Sequence, residues 1–435
     1  MRRQEQFTFA ILGGGGRGKV VSDWIAQRPD AGKVIAIAEP NLPRRQAIAT
    51  LHGIEPRFQF ERWEDLLAQP RVADVLINTL MDRLHAPAGV PALAQGYHML
   101  LEKPMATTLR ECQALDSAAR KYQRIVSVCH SLRYHNAASQ VKQLVTSGAI
   151  GELVTLDLIE GVVPEHQAHS FVRGNWGNED RSTFMLLAKS CHDMDFLAWL
   201  VDKPCRRVAS FGSLTHFRAP NAPAGAPQRC TDGCPVEAQC PYSALRLYVH
   251  PHPKWYADHV GLTGKTTEQR LEAMRTGPYG RCVYHCDNDV VDHQVVSLEF
   301  DGQVTGTFTM TAFDDKGRRL RLHGTEGVIE ASMETNVIRF HRFLDRVTQE
   351  ITVPVEEGSH SGGDHNLMVN FMHALRANDP NAVLTTTAQS LASHKIAFAA
   401  EMARRDHRVV ELSELDAVLE PEPVVADSRK PVTRR

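Results

Sequence analysis

The chain has 435 residues, of which 43% are hydrophobic and 23% charged, and its formal net charge is −2 at neutral pH. This length predicts two domains, and the composition excludes a mainly disordered chain. The charge balance gives no reason to expect a nucleic acid partner, and no apolar run approaches the roughly 18 residues of a membrane span. We expect a cytoplasmic location, because the apolar run near the start predicts a strand and not an export signal.

That first predicted strand ends in a run of glycines. Gly13, Gly15 and Gly18 have the spacing of the dinucleotide fingerprint, in which the glycines allow a tight turn, close approach of a pyrophosphate and packing of helix on strand. A helix is predicted to begin in this loop, so Gly16 and Arg17 join the predicted cofactor contacts. The amides and the dipole at a helix N-terminus favour a diphosphate.

A second predicted strand, over residues 34–38, ends in Glu39, which lies 39 − 18 = 21 residues after the last glycine of the loop. An acid at this place accepts hydrogen bonds from an adenosine ribose and repels a 2′-phosphate, so it favours NAD. A solvated carboxylate at a strand end is the other interpretation. Arg44 and Arg45 follow closely, so NADP stays open.

Two more strand–helix units follow, with strands predicted over residues 74–79 and 98–101. Four alternations of strand and helix predict a parallel, doubly wound sheet that binds its ligands at the carboxyl ends of the strands. Asn78, Thr79 and Lys103 are predicted to lie at such ends. A lysine held near a cofactor can act as an acid, a base or a hydrogen-bond donor.

These motifs carry a family resemblance. The glycine loop, residues 78–85, the strand that ends in Glu102, Lys103 and Pro104, and residues 147–152 together resemble the Gfo/Idh/MocA family of sugar and polyol oxidoreductases. The resemblance runs from about residue 7 to about residue 405. It implies NAD(P) in the first domain, with His85 and Glu102 among its contacts. It also implies a second domain with an open, mostly antiparallel sheet, and a carbohydrate substrate between the domains.

The resemblance further implies that Lys103 contacts the nicotinamide ribose and the reacting hydroxyl. The family's other catalytic residue is usually the histidine of an Asp-x-x-x-His-x-x-Asp pattern. His192 and Asp195 match its last two positions, whereas Ala188 replaces the first aspartate and Lys189 lies beside it. His192 is therefore the predicted base, since histidine titrates near neutrality. Lys189 is predicted to share the proton transfer or to hold the substrate, and a solvated polar stripe on a helix is the alternative for both.

The second half is predicted to be an α+β domain in an overall α/β chain. One helix is predicted over residues 184–201, and Gly302 is predicted to turn a hairpin. The predicted strands cover residues 153–163, 207–214, 290–300, 304–312, 319–323 and 328–331. The predicted domains are a Rossmann domain over 1–128, a substrate and oligomerisation domain over 129–410 with a Cys-rich insertion at about 216–288, and a poorly ordered tail over 411–435.

The predicted substrate contacts include a loop before the His192 helix. Arg173, Asn175 and Trp176 combine a charge, an amide and an aromatic ring, which is the mixture that sugar sites use, although a structural loop is equally compatible. His293 is chosen over Asp292, because neighbouring strand residues face opposite sides. The complete predicted substrate set is Arg133, Arg173, Asn175, Trp176, Lys189, His192 and His293.

Five of the nine cysteines lie between residues 230 and 286. Their two groups predict a structural Zn²⁺ that ties together the ends of the insertion. An iron–sulfur cluster also takes four thiolates, and reduced thiols without metal are the third interpretation. Zinc is favoured because hydride chemistry on NAD needs no one-electron relay. The predicted ligands are Cys230, Cys234, Cys240 and Cys282, with Cys286 left over and placed nearer the cleft.

These features predict NAD-dependent oxidation of a secondary hydroxyl, with C3 preferred, on a sugar or glycoside. One alternative is a redox-neutral NAD-dependent glycosidase, which oxidises C3, eliminates the aglycone, adds water and returns the hydride. Lys189 would then serve the additional proton transfer or bind an anionic substituent on the sugar. A second alternative is a regulator that binds NAD(H) without turnover. The open sheet predicts a homodimer or homotetramer, because its uncovered face needs a partner.

Overall fold

The computed structural model describes residues 6–250, 256, 260–354 and 362–419. Two sheets organise these residues, one in each half of the chain. They confirm the predicted α/β fold class, with a parallel sheet followed by a mostly antiparallel one. None of the helices in these ranges is long and apolar enough to span a membrane.

The first sheet has six parallel strands in the order β3-β2-β1-β4-β5-β6. Its strands are short and apolar because helices cover both faces of a parallel sheet. Its strands are β1 Phe7–Leu12, β2 Gly32–Ala38, β3 Gln59–Phe60, β4 Val75–Asn78, β5 His98–Leu101 and β6 Val126–Val128. Its helices are α1 Gly16–Ala26, α2 Leu42–His52, α3 Trp63–Leu67, α4 His85–Ala94 and α5 Leu109–Lys121.

The strand order reverses between β1 and β4. The chain runs outward from β1 through β2 to β3 and then returns to β4 on the other side of β1. A crevice forms at the carboxyl ends of the strands where the direction changes, and this is where open α/β sheets bind their ligands. The glycine loop after β1 and Asn78 at the end of β4 both lie there.

The second sheet has nine strands in the order β14-β13-β12-β11-β7-β10-β9-β8-β15. Neighbours are antiparallel except for β7 and β10. Its strands are β7 Leu153–Gly161, β8 Cys205–Ser213, β9 His293–Phe300, β10 Thr305–Thr311, β11 Arg318–Gly324, β12 Gly327–Ser332, β13 Val337–Arg342, β14 Thr348–Thr352 and β15 Val410–Glu411. Gly302 turns the β9–β10 hairpin with φ 72°, as predicted.

The helices of the second half pack on both sheets. They are α6 Asn136–Thr146, α7 Pro164–His166, α8 Met185–Ala188, α9 Cys191–Val201, α10 Ala244–Tyr248, α11 Thr267–Thr276, α12 Gly363–Ala377, α13 Thr387–Asp406 and α14 Glu414–Leu419. Leu367 and Phe371 of α12 share a core with Phe9 and Ile11 of β1, so this late helix covers one face of the first sheet. Helix α13 contacts both α5 and α9. The predicted boundary at residues 128 and 129 stays a prediction.

Two predictions about elements are wrong, and two strands were missed. Residues 184–201 form α8 and α9, which are separated at Lys189 and Ser190, and not one helix. Strands β13 and β14 were not predicted, and they form the half-exposed edge of the second sheet. The predicted disordered tail begins with ordered structure, because β15 pairs with β8 and α14 follows it; residues 420–435 lie outside the described residues.

Candidate active site

The glycine loop follows β1 directly. Gly13 has φ 91°, a left-handed conformation that favours glycine, and a Cβ at Gly18 would lie 2.0 Å from the Gly13 carbonyl oxygen. A Cβ at Gly15 would meet no atom of the described chain within 4 Å. The two outer glycines are therefore required by the turn itself, and the middle one faces open space beside the first turn of α1, which begins at Gly16.

Glu39 lies after β2 and closes one side of this loop. Its carboxylate accepts hydrogen bonds from the Gly14 amide at 2.6 Å and from the Asn41 amide at 2.8 Å. The Arg45 guanidinium donates to the Glu39 carbonyl oxygen. The residue is only 5% exposed, so it presents a fixed negative charge at the place predicted for the adenosine ribose.

Arg17, also predicted as a cofactor contact, connects three parts of the chain. Its Nε lies 2.6 Å from Glu102, and its two terminal nitrogens each lie 2.8 Å from Asp364 at the start of α12. Burial by itself favours the protonated acid, but the charge and hydrogen bond of Arg17 hold the pKa of Glu102 below its ordinary value. The Arg17 side chain is thus shared between two carboxylates, and the first-turn amide of Arg17 remains for a diphosphate.

At the end of β4, the hydrogen bonding of Asn78 differs from that of Thr79 and His85, the other two predicted cofactor contacts in this segment. Its Nδ2 donates to the His85 carbonyl at 2.9 Å, whereas its buried Oδ1 has no hydrogen-bond partner within the described ranges. Thr79 donates to the Gly13 carbonyl at 2.7 Å. The His85 ring lies between two carbonyl oxygens, 2.7 Å from that of Pro104 and 3.0 Å from that of Leu80. The side chains of Thr79 and His85 therefore hold the loops in place, and their contact with a cofactor stays a prediction.

Lys103 follows β5 and crosses to the second half of the chain. Its Nζ donates a hydrogen bond to the Ala188 carbonyl oxygen at 2.8 Å. Ala188 ends α8, and Lys189 and His192 follow it at the break and in the first turn of α9. Lys103 therefore lies against the segment that carries the other two predicted catalytic residues.

Lys189 belongs to a buried charge cluster that includes three residues absent from the predicted site. Its Nζ lies 2.9 Å from Glu160, and Arg318 lies 3.1 Å from Glu160 and 2.7 Å from Asp193. Burial raises the pKa of Asp193, and the neighbouring Glu160 raises it further. The one signal for Glu160 in the sequence is an acid near the end of an apolar strand; the pairing of Asp193 with Arg318 leaves no local signal.

The rings of three histidines that are far apart in the chain form a row, with His130 in the middle. The ring of His130 lies 5.6 Å from that of His192 and 5.6 Å from that of His394, both in edge-to-face contact. Burial lowers the pKa of His130, and burial with the neighbouring His130 lowers the pKa of His394 to about 3. His166, which sequence analysis missed, also has a strongly lowered pKa, first through burial and then through Lys189. The lowered pKa values favour the neutral rings of His130, His394 and His166.

Two of the predicted substrate contacts, Arg133 and Arg173, are bonded to protein groups, and their role in substrate binding stays a prediction. Arg133 is buried and forms two hydrogen bonds with Asp195, at 2.6 and 2.7 Å. Arg173 is also buried, and it donates to the carbonyl oxygens of Arg281 and Tyr242 at 2.7 Å each. Both guanidinium groups are enclosed by protein. A buried guanidinium needs hydrogen-bond acceptors on several sides, so each of these two arginines holds the surrounding protein groups in place.

Asn175 and Trp176 instead bridge the two halves of the chain. The Trp176 indole donates to Asp82 at 2.8 Å, and Asn175 lies 3.8 Å from the Met81 sulfur. Both partners lie in the loop after β4, at the edge of the crevice. His293 contacts Asp292 at 2.9 Å, and its role in substrate binding stays a prediction.

The four cysteines predicted to bind zinc line one small cavity, and Cys286 is not among its lining residues. Across the described ranges, however, no group of three or more His, Cys, Asp or Glu side chains is already arranged to hold a metal ion. The described cysteines form no disulfide. The gathering of the four thiols agrees with the prediction, but the zinc itself is not confirmed.

Two family models match most of the chain. The model described as "Oxidoreductase family, NAD-binding Rossmann fold" matches residues 7–130, and the model described as "Oxidoreductase family, C-terminal alpha/beta domain" matches residues 142–412. Both carry the Gfo/Idh/MocA name.

Curated relatives include the putative oxidoreductase YteT of Bacillus subtilis, which is 23% identical over 330 residues, or 72% of this chain and 75% of the relative. The 1,5-anhydro-D-fructose reductase of Ensifer adhaerens is 28% identical over 45% of this chain and 57% of its own length. The inositol 2-dehydrogenase of Salmonella typhimurium is 27% identical over 40% of this chain and 49% of its own length. This chain thus spans only about half the length of these last two relatives.

Among solved structures, a levoglucosan dehydrogenase in complex with NADH and levoglucosan has a TM-score of 0.67 and 17% identity, over 94% of this chain and 100% of that one. The scyllo-inositol dehydrogenase of Lactobacillus casei, with bound NAD(H) and scyllo-inositol, has a TM-score of 0.65 and 16% identity over the same shares. At these low identities the likeness shows a shared fold and nothing beyond it.

Proposed function

The chain belongs to the Gfo/Idh/MocA family of oxidoreductases, and from this we propose that it is an NAD-dependent dehydrogenase that oxidises a secondary hydroxyl of a sugar or glycoside, with C3 preferred. The observation that carries the proposal is the contact of Lys103 Nζ with the Ala188 carbonyl, at 2.8 Å. It brings an ammonium group from the dinucleotide domain to the segment of Lys189 and His192. The sugar and inositol substrates of the relatives support the same substrate class.

The crevice at the end of β1 and β4 suits NAD. Gly15 leaves room for a diphosphate, and the unpaired Oδ1 of Asn78 can accept a hydrogen bond from a carboxamide. Glu39 can bind the adenosine ribose and opposes a 2′-phosphate, so NAD is preferred over NADP. When bound, NAD supplies the hydride acceptor.

The residues of this chain move the proton and orient the substrate. A substrate hydroxyl replaces the Ala188 carbonyl as the acceptor of the Lys103 hydrogen bond, and the positive charge stabilises the alkoxide that forms. His192 accepts the hydroxyl proton, as a histidine can near neutrality. Lys189, held by Glu160 at 2.9 Å, directs its remaining N–H groups to substrate hydroxyls.

The test is turnover with a set of sugars, polyols and nitrophenyl glycosides in the presence of NAD⁺, followed by NADH absorbance. Lys103→Met should lower kcat by about 10²–10³-fold, because it removes the positive charge that stabilises the alkoxide, and it should leave NADH affinity within about threefold. Lys121→Met, at an exposed lysine at the end of α5, is the matched control and should retain full activity. Unchanged kcat in the Lys103 variant would contradict the proposed role of Lys103, whereas absence of turnover with every substrate in the unmodified protein would favour a non-catalytic NAD(H)-binding regulator.

A glycosidase is the second candidate, because the ion pair of Lys189 with Glu160 places a further proton-transfer group near Lys103 and His192. The glycosidase should release nitrophenol from a nitrophenyl glycoside with NAD⁺ present and without net NADH. Steady NADH formation with an intact glycoside would instead support the dehydrogenase. The cytoplasmic location and the homodimeric or homotetrameric state stay predictions.

A further inference from the structure

The charge cluster beside the Lys103 contact holds its acids deeper than its cations. The side chains of Glu160 and Asp193 are 3% and 0% exposed, whereas those of Lys189 and Arg318 are 16% and 17% exposed. Carboxylates buried to this degree need positive partners, and each of the two has one. Lys189 lies 2.9 Å from Glu160, and Arg318 lies 2.7 Å from Asp193. The part of the cluster that a ligand can reach is therefore formed by its cations.

Both cations keep N–H groups that the two acids do not use. An ammonium group has three N–H bonds, and the one ion pair of Lys189 within the described ranges is with Glu160. Arg318 donates to Asp193 through Nε and Nη2. Its Nη1 is neither hydrogen-bonded to a described residue nor fully buried. Each side chain can therefore donate to one further acceptor.

The two cations are neighbours because they share one acid. Lys189 Nζ contacts Oε1 of Glu160 at 2.9 Å, and Arg318 Nε contacts Oε2 of the same carboxylate at 3.1 Å. A second carboxylate, brought by a ligand, can therefore accept hydrogen bonds from both side chains at once. Hydrogen bonds between ionised partners are roughly twice as strong as those between neutral groups.

Lys103 adds a third positive charge at this place. It donates to a backbone carbonyl, and no ion pair joins its ammonium group to a carboxylate of the described residues. The acid next to it, Glu102, is bonded to Arg17 at 2.6 Å. The exposed Glu334 acts on Arg318 from a distance and forms no ion pair with it in the described part of the chain. The cluster with Lys103 thus has three cations and two buried acids.

The pKa of His166 reports the sign of the charge beside Lys189. It lies well below its ordinary value, first because the ring is buried and then because positive neighbours oppose its protonation. These neighbours are Lys189, His169, Lys103 and Arg318. No carboxylate is among the largest causes, although Glu160 lies against two of the same cations. The potential at this ring is positive and favours an anion next to it.

We propose that the substrate carries a carboxylate, as a uronic acid or a glycoside of one does, and that Lys189 and Arg318 bind this group. The inference rests on the proposed function, because it names the class of sugar that the same site oxidises. Lys103 and His192 stay with the reacting hydroxyl, and the carboxylate accepts the N–H groups that the two buried acids leave unused. A neutral sugar offers these donors no anionic acceptor, so the site favours the acid.

Titration calorimetry of the full-length protein loaded with NADH tests the inference without turnover. The ligands are the methyl glycosides of glucuronic and galacturonic acid, the corresponding uronamides and the corresponding neutral hexosides. The uronamide has nearly the shape of the acid but no charge, so the comparison separates charge from fit. For the epimer that the site accepts, the acid should bind at least about tenfold more tightly than both neutral compounds.

Lys189→Met is the informative variant, because Glu160 keeps Arg318 as a counter-ion at 3.1 Å and is not left buried without a partner. The ratio of acid affinity to amide affinity should fall at least about fivefold, since one of the two charged donors is lost. Lys121→Met, at an exposed lysine at the end of α5, is the matched control and should keep the ratio. If the Lys189 variant fails to fold, the comparison of acid with amide in the unmodified protein still decides.

The inference and the proposed function fail in different ways. A uronamide or neutral hexoside that binds and is oxidised as well as the acid would overturn the inference and leave the dehydrogenase intact. An equal ratio in the Lys189→Met and Lys121→Met proteins would also overturn it. Preferential binding of the acid without NADH formation from any sugar would support the carboxylate site and contradict the dehydrogenase.

Discussion

At the scale of the residue, the two lysines of the site have different surroundings. Lys103 donates to a backbone carbonyl at 2.8 Å, whereas Lys189 is paired with the buried carboxylate of Glu160 at 2.9 Å. A substrate hydroxyl can replace a neutral carbonyl more easily than it can displace a buried counter-ion. Lys103 is therefore the better group for the reacting hydroxyl, and Lys189 the better group for orienting the rest of the substrate.

Glu39 carries a prediction about the cofactor. Glu39→Gln keeps an oxygen for the Gly14 or the Asn41 amide and removes the charge that opposes a 2′-phosphate. The ratio of kcat/KM with NAD⁺ to that with NADP⁺ should fall by about tenfold, in line with the cost of one charged contact. Glu61→Gln, at an exposed acid outside this loop, should leave the ratio unchanged. A higher ratio in the Glu39 variant would contradict this role.

At the scale of the element, the break between α8 and α9 explains why Lys103 reaches its partner. A helix ends with carbonyl groups that lack intrahelical donors, and Ala188 is the last residue of α8. Its carbonyl oxygen is bonded by Lys103 from another domain. The apolar spacing of residues 184–201 is compatible with one continuous helix, so the break depends on contacts that are distant in sequence.

Two substitutions, Gly15→Ala and Gly18→Ala, should separate cofactor binding from stability in the glycine loop and in α1, which follows it. Gly15 has φ −68°, which alanine also adopts, and its Cβ would enter open space. Gly15→Ala should keep the unfolding midpoint and weaken NADH binding by about tenfold or more, because the methyl group occupies space needed by the diphosphate.

Gly18→Ala is the contrasting variant. Its Cβ would lie 2.0 Å from the Gly13 carbonyl oxygen, so it should destabilise the protein by about 1–3 kcal/mol. Urea unfolding and NADH fluorescence titration separate the two effects. Equal loss of stability in both variants would show that Gly15 also serves the turn.

At the scale of the whole molecule, the two halves share a buried interior. Helix α13 contacts α5 and α9, and His394 within it accepts a hydrogen bond from the Met105 amide at 2.9 Å. Helix α12 covers the first sheet, although it comes late in the chain. Unfolding of one half therefore exposes part of the core of the other.

This shared interior predicts a dependence of stability on pH. Burial holds the pKa of His394 at about 3, below the ordinary 6.5, so the folded state favours the neutral ring. The resulting stability is present above about pH 6.5 and is lost as the pH falls towards 3, by up to about 1.4 kcal/mol per pH unit for one proton. His130, whose pKa burial also lowers, acts in the same direction.

His394→Gln should flatten the pH profile, because glutamine can accept the Met105 hydrogen bond and does not titrate in this range. Urea unfolding midpoints at about pH 7.5 and about pH 5 measure the effect. His373→Gln, at an exposed position on α12, is the control and should keep the slope of the unmodified protein. An equal slope in the His394 variant would assign the acid sensitivity to other groups.

Much of the dinucleotide domain can be predicted from the sequence, because its signals are local. The glycine spacing requires a positive φ at Gly13 and close packing at Gly18, and both are present. Substrate contacts are harder to predict, since an arginine in a loop does not reveal whether it faces solvent or protein. Arg133 and Arg173 are both enclosed by protein, and each forms hydrogen bonds with a residue more than 60 positions away in the chain.

The sequence by itself therefore determined the class of fold, the dinucleotide loop and the family, because backbone conformation and hydrophobic periodicity depend on neighbouring residues. Only the tertiary structure decided which charged groups meet. Lys103 with Ala188, Lys189 with Glu160, and Arg17 with Asp364 are separated by 85, 29 and 347 residues. Such pairs form because the fold buries each charge near a partner, and burial makes an unpaired charge unstable.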